Sequence, residues 1–222
     1  MNQAGSTGTE DAAAYRYGIV FLLTLAVVVF IILASESALS RAVSFALIAG
    51  ALLVVAGTSR ERSDVRHRRL LVGGVVTLLL TIAIIVDVIP RSVALLLSGL
   101  LALAIPVTLA RGLLRLVRTR GATTQAVAGA LAVYLLLGLT FAFGVGFLAA
   151  VGSGNYFAQG TSGDASTNLY YSFTVLTTTG FGDFTAAHHA GRALAVVEML
   201  VGQLYLVTVI GVLIGRRVET VR

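Results

Sequence analysis

The feature that most constrains the fold of this chain is a series of long apolar runs separated by short segments that carry its arginines. Each run approaches or reaches the length of about 20 residues that a helix needs to cross the hydrocarbon core of a bilayer. The runs cover residues 17–33, 42–58, 70–88, 93–110, 124–151 and 191–214. The pattern therefore predicts an all-α membrane protein with six transmembrane helices.

The composition is typical of a membrane protein and not of a soluble globular protein. Hydrophobic residues make up 57% of the 222 residues, charged residues make up 12%, and the mean hydropathy is +0.95. The chain has no cysteine, which excludes disulfide bonds and thiolate metal sites. All 16 basic residues are arginines, and since they lie between apolar runs, we expect them to face anionic membrane surfaces and not nucleic acid.

The distribution of the arginines predicts how the chain is oriented, because cytoplasmic loops are enriched in basic residues. With six spans both termini lie on one side of the membrane, and that side receives every arginine except Arg41, Arg91 and Arg192. We therefore expect cytoplasmic termini and an extracellular segment between the fifth and sixth spans. The abundance of alanine, valine and leucine, with arginine and no lysine, favours a prokaryotic cell membrane.

Between the fifth and sixth spans lies the heptapeptide Thr-Thr-Thr-Gly-Phe-Gly-Asp, called here the TTTGFGD segment (residues 177–183). It follows a short apolar run, residues 172–176, that is too brief to cross a bilayer. Gly180 and Gly182 can adopt positive φ without a Cβ clash. If such residues alternate with right-handed ones, successive carbonyl groups can point one way. Several copies around an axis would then form rings of oxygens that replace the water around a cation.

Residues 178–183 resemble the selectivity-filter signature of potassium channels, usually written T-V-G-Y-G-D. The resemblance extends to residues 170–172, which are similar to the aromatic pair and small residue of that family's pore helix. Residues 191–197 and Gly202 resemble the start and the hinge of its inner helix. The chain is therefore identified as a six-span, prokaryotic-type member of the potassium channel pore-domain family without sensor arginines.

The resemblance implies a homotetramer with the pore on its axis, and a re-entrant pore helix and filter loop between the fifth and sixth helices. Potassium would be the permeating ion, with no other cofactor, and the implied ion-binding residues are Thr178, Thr179, Gly180, Phe181 and Gly182. The first four of these would coordinate K⁺ through backbone carbonyls. The residues implied to support the filter are Thr177, Asp183, Tyr171, Thr174 and Glu198. The residues implied as hinge or cavity lining are Gly202, Gln203, Leu206 and Ile210.

The chain departs from the family pattern at three positions. Thr179 replaces the usual valine, Phe181 replaces the usual tyrosine, and Thr174 stands where some members carry a glutamate that pairs with the filter aspartate. A weakly selective monovalent cation channel and a non-conducting channel-like protein therefore stay open beside a potassium-selective channel. A subunit of a potassium uptake transporter fits less well, because those proteins usually carry four filter-like segments in one chain.

An enzyme is not expected, because the sequence has no cysteine, no metal-binding histidine cluster and no phosphate-binding loop beside a strand. The chain divides into a disordered tail at residues 1–14, a four-helix transmembrane domain at 15–120 and a pore domain at 121–222. The four-helix domain occupies the position of a voltage sensor, yet its fourth span carries no arginine. Since a sensor helix carries arginines through the membrane, we expect weak or no voltage dependence.

Several charged residues allow two interpretations. Glu198 either braces the filter or the pore helix, or is a structural acid near the outer interface. Asp87 has no obvious partner beyond Arg91. Five arginines of the second loop either bind anionic lipid headgroups or act only as a topology signal, and these are Arg60, Arg62, Arg66, Arg68 and Arg69.

Two local predictions concern the approach to the TTTGFGD segment. Residues 152–163 are rich in glycine and serine and indicate a flexible loop. Ser166 or Thr167 is then expected to cap a short helix that runs to about Thr177.

Overall fold

Seven helices account for most of the computed structural model, which describes residues 7–56, 63–120 and 123–219. They are α1 (Thr7–Leu33), α2 (Ala38–Ala56), α3 (Ser63–Ile85), α4 (Arg91–Arg120), α5 (Thr124–Val151), α6 (Ala165–Leu176) and α7 (His189–Glu219). These residues contain no strand, and one isolated antiparallel bridge joins Phe157 to Ala186. The predicted all-α fold is confirmed for this part of the chain.

Helix α5 lies at the centre of the fold and packs against α1, α4, α6 and α7. Its buried face is rich in alanine and glycine, which lets neighbouring helices approach closely. At Gly138 an added Cβ would lie 2.7 Å from the ring of Phe173 in α6, so this glycine permits the close contact between the two helices. The largest hydrophobic cluster joins α1, α2, α4 and α5 and also takes in Leu169 of α6. The short helix is therefore held against the core of the molecule.

Two helices in the described ranges are long and apolar enough to cross a membrane. They cover Thr124–Val151 and His189–Val209. Shorter apolar stretches occur in the other four long helices, at Tyr17–Leu33, Ala38–Ala51, Leu71–Ile85 and Arg91–Val107. These stretches overlap the first four predicted spans, and a total of six spans stays a prediction.

The first helix differs from its predicted extent. Helix α1 begins at Thr7 and not at Tyr17, so residues 7–14 of the predicted tail are helical, and residues 1–6 lie outside the described residues. Alanine at positions 12–14 favours this extension, since alanine has the highest helix propensity. Of the second-loop arginines, Arg60 and Arg62 lie outside the described residues. The other three lie in α3, and their side chains are not described.

The residue that caps the N-terminus of α6 is not one of the two that the sequence interpretation predicted. Asp164 is the N-cap, and its carboxylate accepts a 2.7 Å hydrogen bond from the backbone N–H of Thr167. Ser166, one of the two predicted caps, instead donates its hydroxyl to Asp164 at 2.8 Å. Burial acts to raise the pKa of Asp164, but the hydrogen bonds from Thr167 and Ser166 outweigh it and lower this pKa below its usual value.

The loop before α6 is anchored and not free. Phe157 is buried, as is Tyr156, and both rings pack edge-on against Tyr171 of α6. The backbone N–H of Ala187 donates to the Tyr156 carbonyl at 2.9 Å, which ties the loop to the start of α7. The prediction of a flexible loop is therefore wrong for this stretch, because two aromatic residues anchor a segment whose composition is otherwise glycine- and serine-rich.

Candidate functional site

The backbone of the TTTGFGD segment alternates in conformation. Thr178, Gly180 and Gly182 have φ of 57°, 51° and 81°, whereas Thr179 and Phe181 between them do not have positive φ. This alternation is the pattern that allows successive carbonyl groups to face one side. Positive φ at Gly180 and Gly182 agrees with the prediction, because glycine has no Cβ to clash in this conformation. Positive φ at Thr178 was not expected, since a β-branched residue is a genuine outlier in this region.

All four of the last carbonyl groups of α6 accept hydrogen bonds, three of them from the TTTGFGD segment and one from α5. The Phe173 carbonyl accepts from Thr177 N–H at 3.1 Å, and the Val175 carbonyl accepts from Thr178 N–H at 2.9 Å. The Thr174 carbonyl accepts from Gly180 N–H at 3.1 Å, and the last carbonyl of α6 accepts from the Tyr134 hydroxyl at 3.3 Å. The last carbonyl groups of α6 therefore all have hydrogen-bond partners. The three bonds from the segment also fix the path of its backbone directly after the helix.

Thr177 adds two side-chain contacts at this junction. Its hydroxyl donates to the Phe173 carbonyl at 2.7 Å and lies 2.8 Å from the hydroxyl of Thr179. Thr174, predicted as a support residue, uses its side chain only on its own helix, where it donates to the Tyr171 carbonyl at 2.8 Å. Its contact with the segment is made by its backbone carbonyl, which sequence reasoning did not identify.

Helix α7 approaches α6 most closely at Gly202. An added Cβ at this buried glycine would collide with the carbonyl oxygen of Leu176, the last residue of α6. The helix is continuous through this position, so the observed role of Gly202 is close packing, and the predicted hinge stays a prediction. Nearby, the Tyr205 hydroxyl of α7 donates to the Ala130 carbonyl of α5 at 2.7 Å, and its ring stacks on Tyr134 with centroids 5.9 Å apart.

The predicted cavity residues follow Gly202 along α7, toward its C-terminal end. Gln203 is exposed, and its amide nitrogen donates to the Thr178 hydroxyl at 3.0 Å. Leu206 is half-buried. Ile210 lies in α7 among residues whose side chains are not described. The contact between Gln203 and Thr178 therefore joins the predicted cavity directly to the start of the TTTGFGD segment.

A buried polar contact joins α5, α6 and α7 behind the segment. The Ser172 hydroxyl lies 2.7 Å from the Gly138 carbonyl and 2.5 Å from Oε1 of Glu198, and both side chains are 0% exposed. One hydroxyl hydrogen can satisfy only one of these two acceptors. A protonated carboxyl group would supply a second hydrogen. The other oxygen, Glu198 Oε2, has no hydrogen-bond partner among the residues that the structure describes.

An aromatic stack flanks the outer part of the segment. The ring of Tyr170 lies parallel to that of Phe181, with centroids 6.3 Å apart and planes 4° apart. The Asp183 carboxylate is the main cause that raises the pKa of the Tyr170 hydroxyl above its usual value. Asp183 also accepts from Phe184 N–H at 3.1 Å. Thus Tyr170 contacts the segment, whereas Tyr171, the predicted support residue, is buried in the aromatic cluster of the preceding loop.

One side of this region is open in the single chain. Every residue of the TTTGFGD segment is exposed, and Phe181 is 69% exposed. The adjoining face of α7 exposes large apolar side chains, among them Leu204 at 66% and Val207 at 70%. Contiguous apolar surface of this kind marks an interaction site with lipid or protein. In the described part of the chain, no group of three His, Cys, Asp or Glu residues is placed to hold a metal ion.

Comparison with known protein families finds a match to this region. Residues 133–218 match a protein family described as "Ion channel", and the match begins within α5 and runs through α6 and the TTTGFGD segment into α7. No curated protein and no solved structure matches the chain. The family match points to an ion-conducting membrane protein and not to an enzyme. It supports the conclusion that α5, α6, the TTTGFGD segment and α7 form an ion channel pore domain.

Proposed function

We propose that the protein is a potassium-selective channel in which four copies of the TTTGFGD segment surround one axis. The observation that carries the proposal is the alternation of φ along residues 178–182, inside a region that matches ion channels. Four such segments would stack rings of carbonyl oxygens from residues 178–181, and these rings replace the water of a dehydrated K⁺ ion. Repulsion between ions in neighbouring rings keeps any one ion from binding too tightly to leave.

The open faces of the single chain support a homotetramer. The exposed TTTGFGD segment and the exposed apolar face of α7 lie together, as expected if other copies of the pore domain cover them. Non-helical backbone at membrane depth is tolerated only where it is buried in protein or lines a water-filled cavity, and a shared axis would provide that cavity. Helix α6 directs its C-terminal end toward the start of the segment, where its negative dipole end favours a cation.

The remaining helices complete a six-span channel in this proposal. Helices α1 to α4 cross a prokaryotic cell membrane, both termini are cytoplasmic, and the TTTGFGD segment faces outward. The fourth span carries no arginine, which supports a channel that does not respond strongly to voltage. The second-loop arginines, residues 60–69, would contact anionic lipids of the cytoplasmic leaflet.

A weakly selective monovalent cation channel is the second candidate, and one observation favours it. Phe181 has no hydroxyl group with which to hold the segment against α6, and its contact with Tyr170 is a ring stack alone. A filter whose backbone is held by fewer hydrogen bonds can move its carbonyl oxygens closer together around a smaller ion. The two candidates differ in selectivity and share the same site.

Reversal potentials in planar bilayers distinguish the candidates. Purified protein between unequal K⁺ and Na⁺ solutions should give a reversal potential close to the K⁺ equilibrium potential, with block by Ba²⁺. A reversal potential near zero under equal total cation concentration would establish the weakly selective channel. Absence of any current from protein that is folded and tetrameric would refute both.

A further inference from the structure

A buried carboxyl group lies where the three helices of the pore domain meet, and ion coordination by backbone carbonyls does not use it. Glu198 of α7 is 0% exposed, and so is Ser172 of α6. The Ser172 hydroxyl lies between Oε1 of Glu198 and the carbonyl of Gly138 in α5. Because a buried charge without a partner is costly, the protonation state of this carboxyl group decides whether the contact holds the three helices together.

No cation neutralises Glu198 within the described part of the chain. The nearest arginine along α7, Arg192, donates its Nε–H to the Ala186 carbonyl at 3.1 Å. Three tyrosines are the titratable groups that face Glu198 from the elements packed around it, and these are Tyr134 of α5, Tyr171 of α6 and Tyr156 of the loop before α6. Tyrosine is uncharged at neutral pH, and an ionised tyrosine would repel a carboxylate. A carboxylate at this position would therefore be a charge without a counter-ion.

The hydrogen-bond geometry fits a neutral acid. A protonated Oε1 of Glu198 donates to the Ser172 hydroxyl at 2.5 Å, and that hydroxyl donates in turn to the Gly138 carbonyl at 2.7 Å. Both hydrogens then have an acceptor, and Oε2, which has no partner among the described residues, is an uncharged carbonyl oxygen. An ionised group would instead leave Oε2 as a buried carboxylate oxygen without a hydrogen bond, and the single hydroxyl hydrogen could serve only one of its two acceptors.

Helices α6 and α7 meet again one turn nearer the TTTGFGD segment. Gly202 follows Glu198 by four residues on α7, and Leu176, whose carbonyl lies against Gly202, follows Ser172 by four residues on α6. Since residues four apart lie on one face of a helix, the two contacts form one interface between α6 and α7. Leu176 is the last residue of α6, so a change at the buried carboxyl group acts on the helix end that positions the segment.

We propose that Glu198 is a positioning residue that works in its protonated form, and that loss of its proton at alkaline pH stops conduction. The neutral carboxyl group holds α7 to α6 and, through Ser172, α6 to α5. Release of the proton to solvent removes the hydrogen that Oε1 donates and places an unpaired charge in the interface. Water must then enter, or α6 and α7 must separate, and either change releases the end of α6. The effect on conduction rests on the proposed function, whereas the protonation state does not.

Infrared spectroscopy of the full-length protein in liposomes, with potassium flux measured on the same samples, tests the proposal. At neutral pH we expect the carbonyl stretch of a protonated carboxyl group, which shifts in D₂O and is absent in Glu198→Gln. The band should be lost as the pH rises to about 9, below the usual tyrosine pKa of about 10. If all four copies must keep the proton, only about one tetramer in 16 conducts at the pH where the band has halved, so the flux should fall about 16-fold there.

Glu198→Gln is also the matched control for the flux measurement. Its amide can donate to Ser172 as the neutral acid does, but it cannot ionise. The variant keeps every other titratable group, including His188 and His189. We therefore expect its flux to stay constant over the pH range in which the wild-type flux falls.

Each other outcome overturns part of the account. Absence of the band at neutral pH refutes the protonated carboxyl group. A wild-type flux that does not fall as the band is lost, or an equal fall in Glu198→Gln, refutes the positioning role. If the variant does not fold, the wild-type band and the wild-type flux are still compared across the pH range. A band with the expected pH dependence, in folded protein that carries no potassium flux at any pH, refutes the proposed channel function and leaves the buried neutral acid standing.

Discussion

Replacement of Gly180 by alanine tests the backbone conformation on which the proposed filter depends. Gly180 has a φ of 51°, and the left-handed region costs a residue with a Cβ roughly 1–2 kcal/mol. An added Cβ would meet no atom within 4 Å, so no clash within the chain adds to this cost. In a filter of four copies the cost applies four times. About 1 kcal/mol per copy gives about 4 kcal/mol, or about a thousandfold shift away from the conducting backbone.

Gly160 offers a matched control for this substitution. It has a φ of 79°, and an added Cβ there would likewise meet no atom within 4 Å, but it lies in the loop before α6. Thermal unfolding should show a loss of about 1 kcal/mol per chain for both variants. Potassium flux into liposomes should fall at least a hundredfold in Gly180→Ala and stay near the wild-type rate in Gly160→Ala. Similar flux in the two variants, at similar stability, would refute the reasoning.

Three further predictions concern the supports of the site. Ser172→Ala should lower stability by about 2 kcal/mol, because the buried Glu198 carboxyl group loses its partner, and the same change should cost less in a Glu198→Leu background. Gly202→Ala should cost about 1–3 kcal/mol by overpacking against α6, whereas Gly211→Ala, where an added Cβ meets no atom within 4 Å, should be neutral or stabilising. The folded-state pKa of Asp164 is lowered from its usual 3.8, so the stability from its charged form is present at neutral pH and lost as the pH falls through that lowered value. The difference in Tm between the wild type and Asp164→Asn should therefore disappear at low pH.

Chemical and thermal unfolding of the purified variants checks all three predictions. Additive effects of the Ser172 and Glu198 substitutions would contradict a direct contact between the two side chains. Equal effects of the Gly202 and Gly211 substitutions would contradict close packing between α7 and α6. A Tm difference for Asp164→Asn that does not change with pH would contradict the role of its carboxylate as a charged cap.

The sequence predicts features that depend on neighbouring residues along the chain. The positions of the long helices follow from apolar runs, and positive φ at Gly180 and Gly182 follows from residue type. The cap of α6 was within reach of the same reasoning, since Asp164 precedes the helix and aspartate is a preferred N-cap. Composition alone predicted a flexible loop at residues 152–163, whereas the buried side chains of Tyr156 and Phe157 anchor this loop.

Features that depend on helix rotation and on contacts between distant segments could not be predicted. Tyr170 and Tyr171 are adjacent and chemically identical, and only the rotation of α6 against α5 decides which ring reaches the TTTGFGD segment. The ion pairs among the first four helices are a similar case. The sequence suggested Arg91 as the partner of Asp87, yet Arg41 of α2 takes that place, because the ends of α2 and α3 meet in space.

The most direct test of the central claim is an experimental structure of the assembled protein in K⁺ solution, with Rb⁺ or Tl⁺ exchanged to mark the ions. The account predicts a fourfold axis through the TTTGFGD segment and a column of ion density between carbonyl oxygens of residues 178–181. An assembly with no shared axis at this segment, or one whose carbonyl oxygens turn away from the axis, would contradict it.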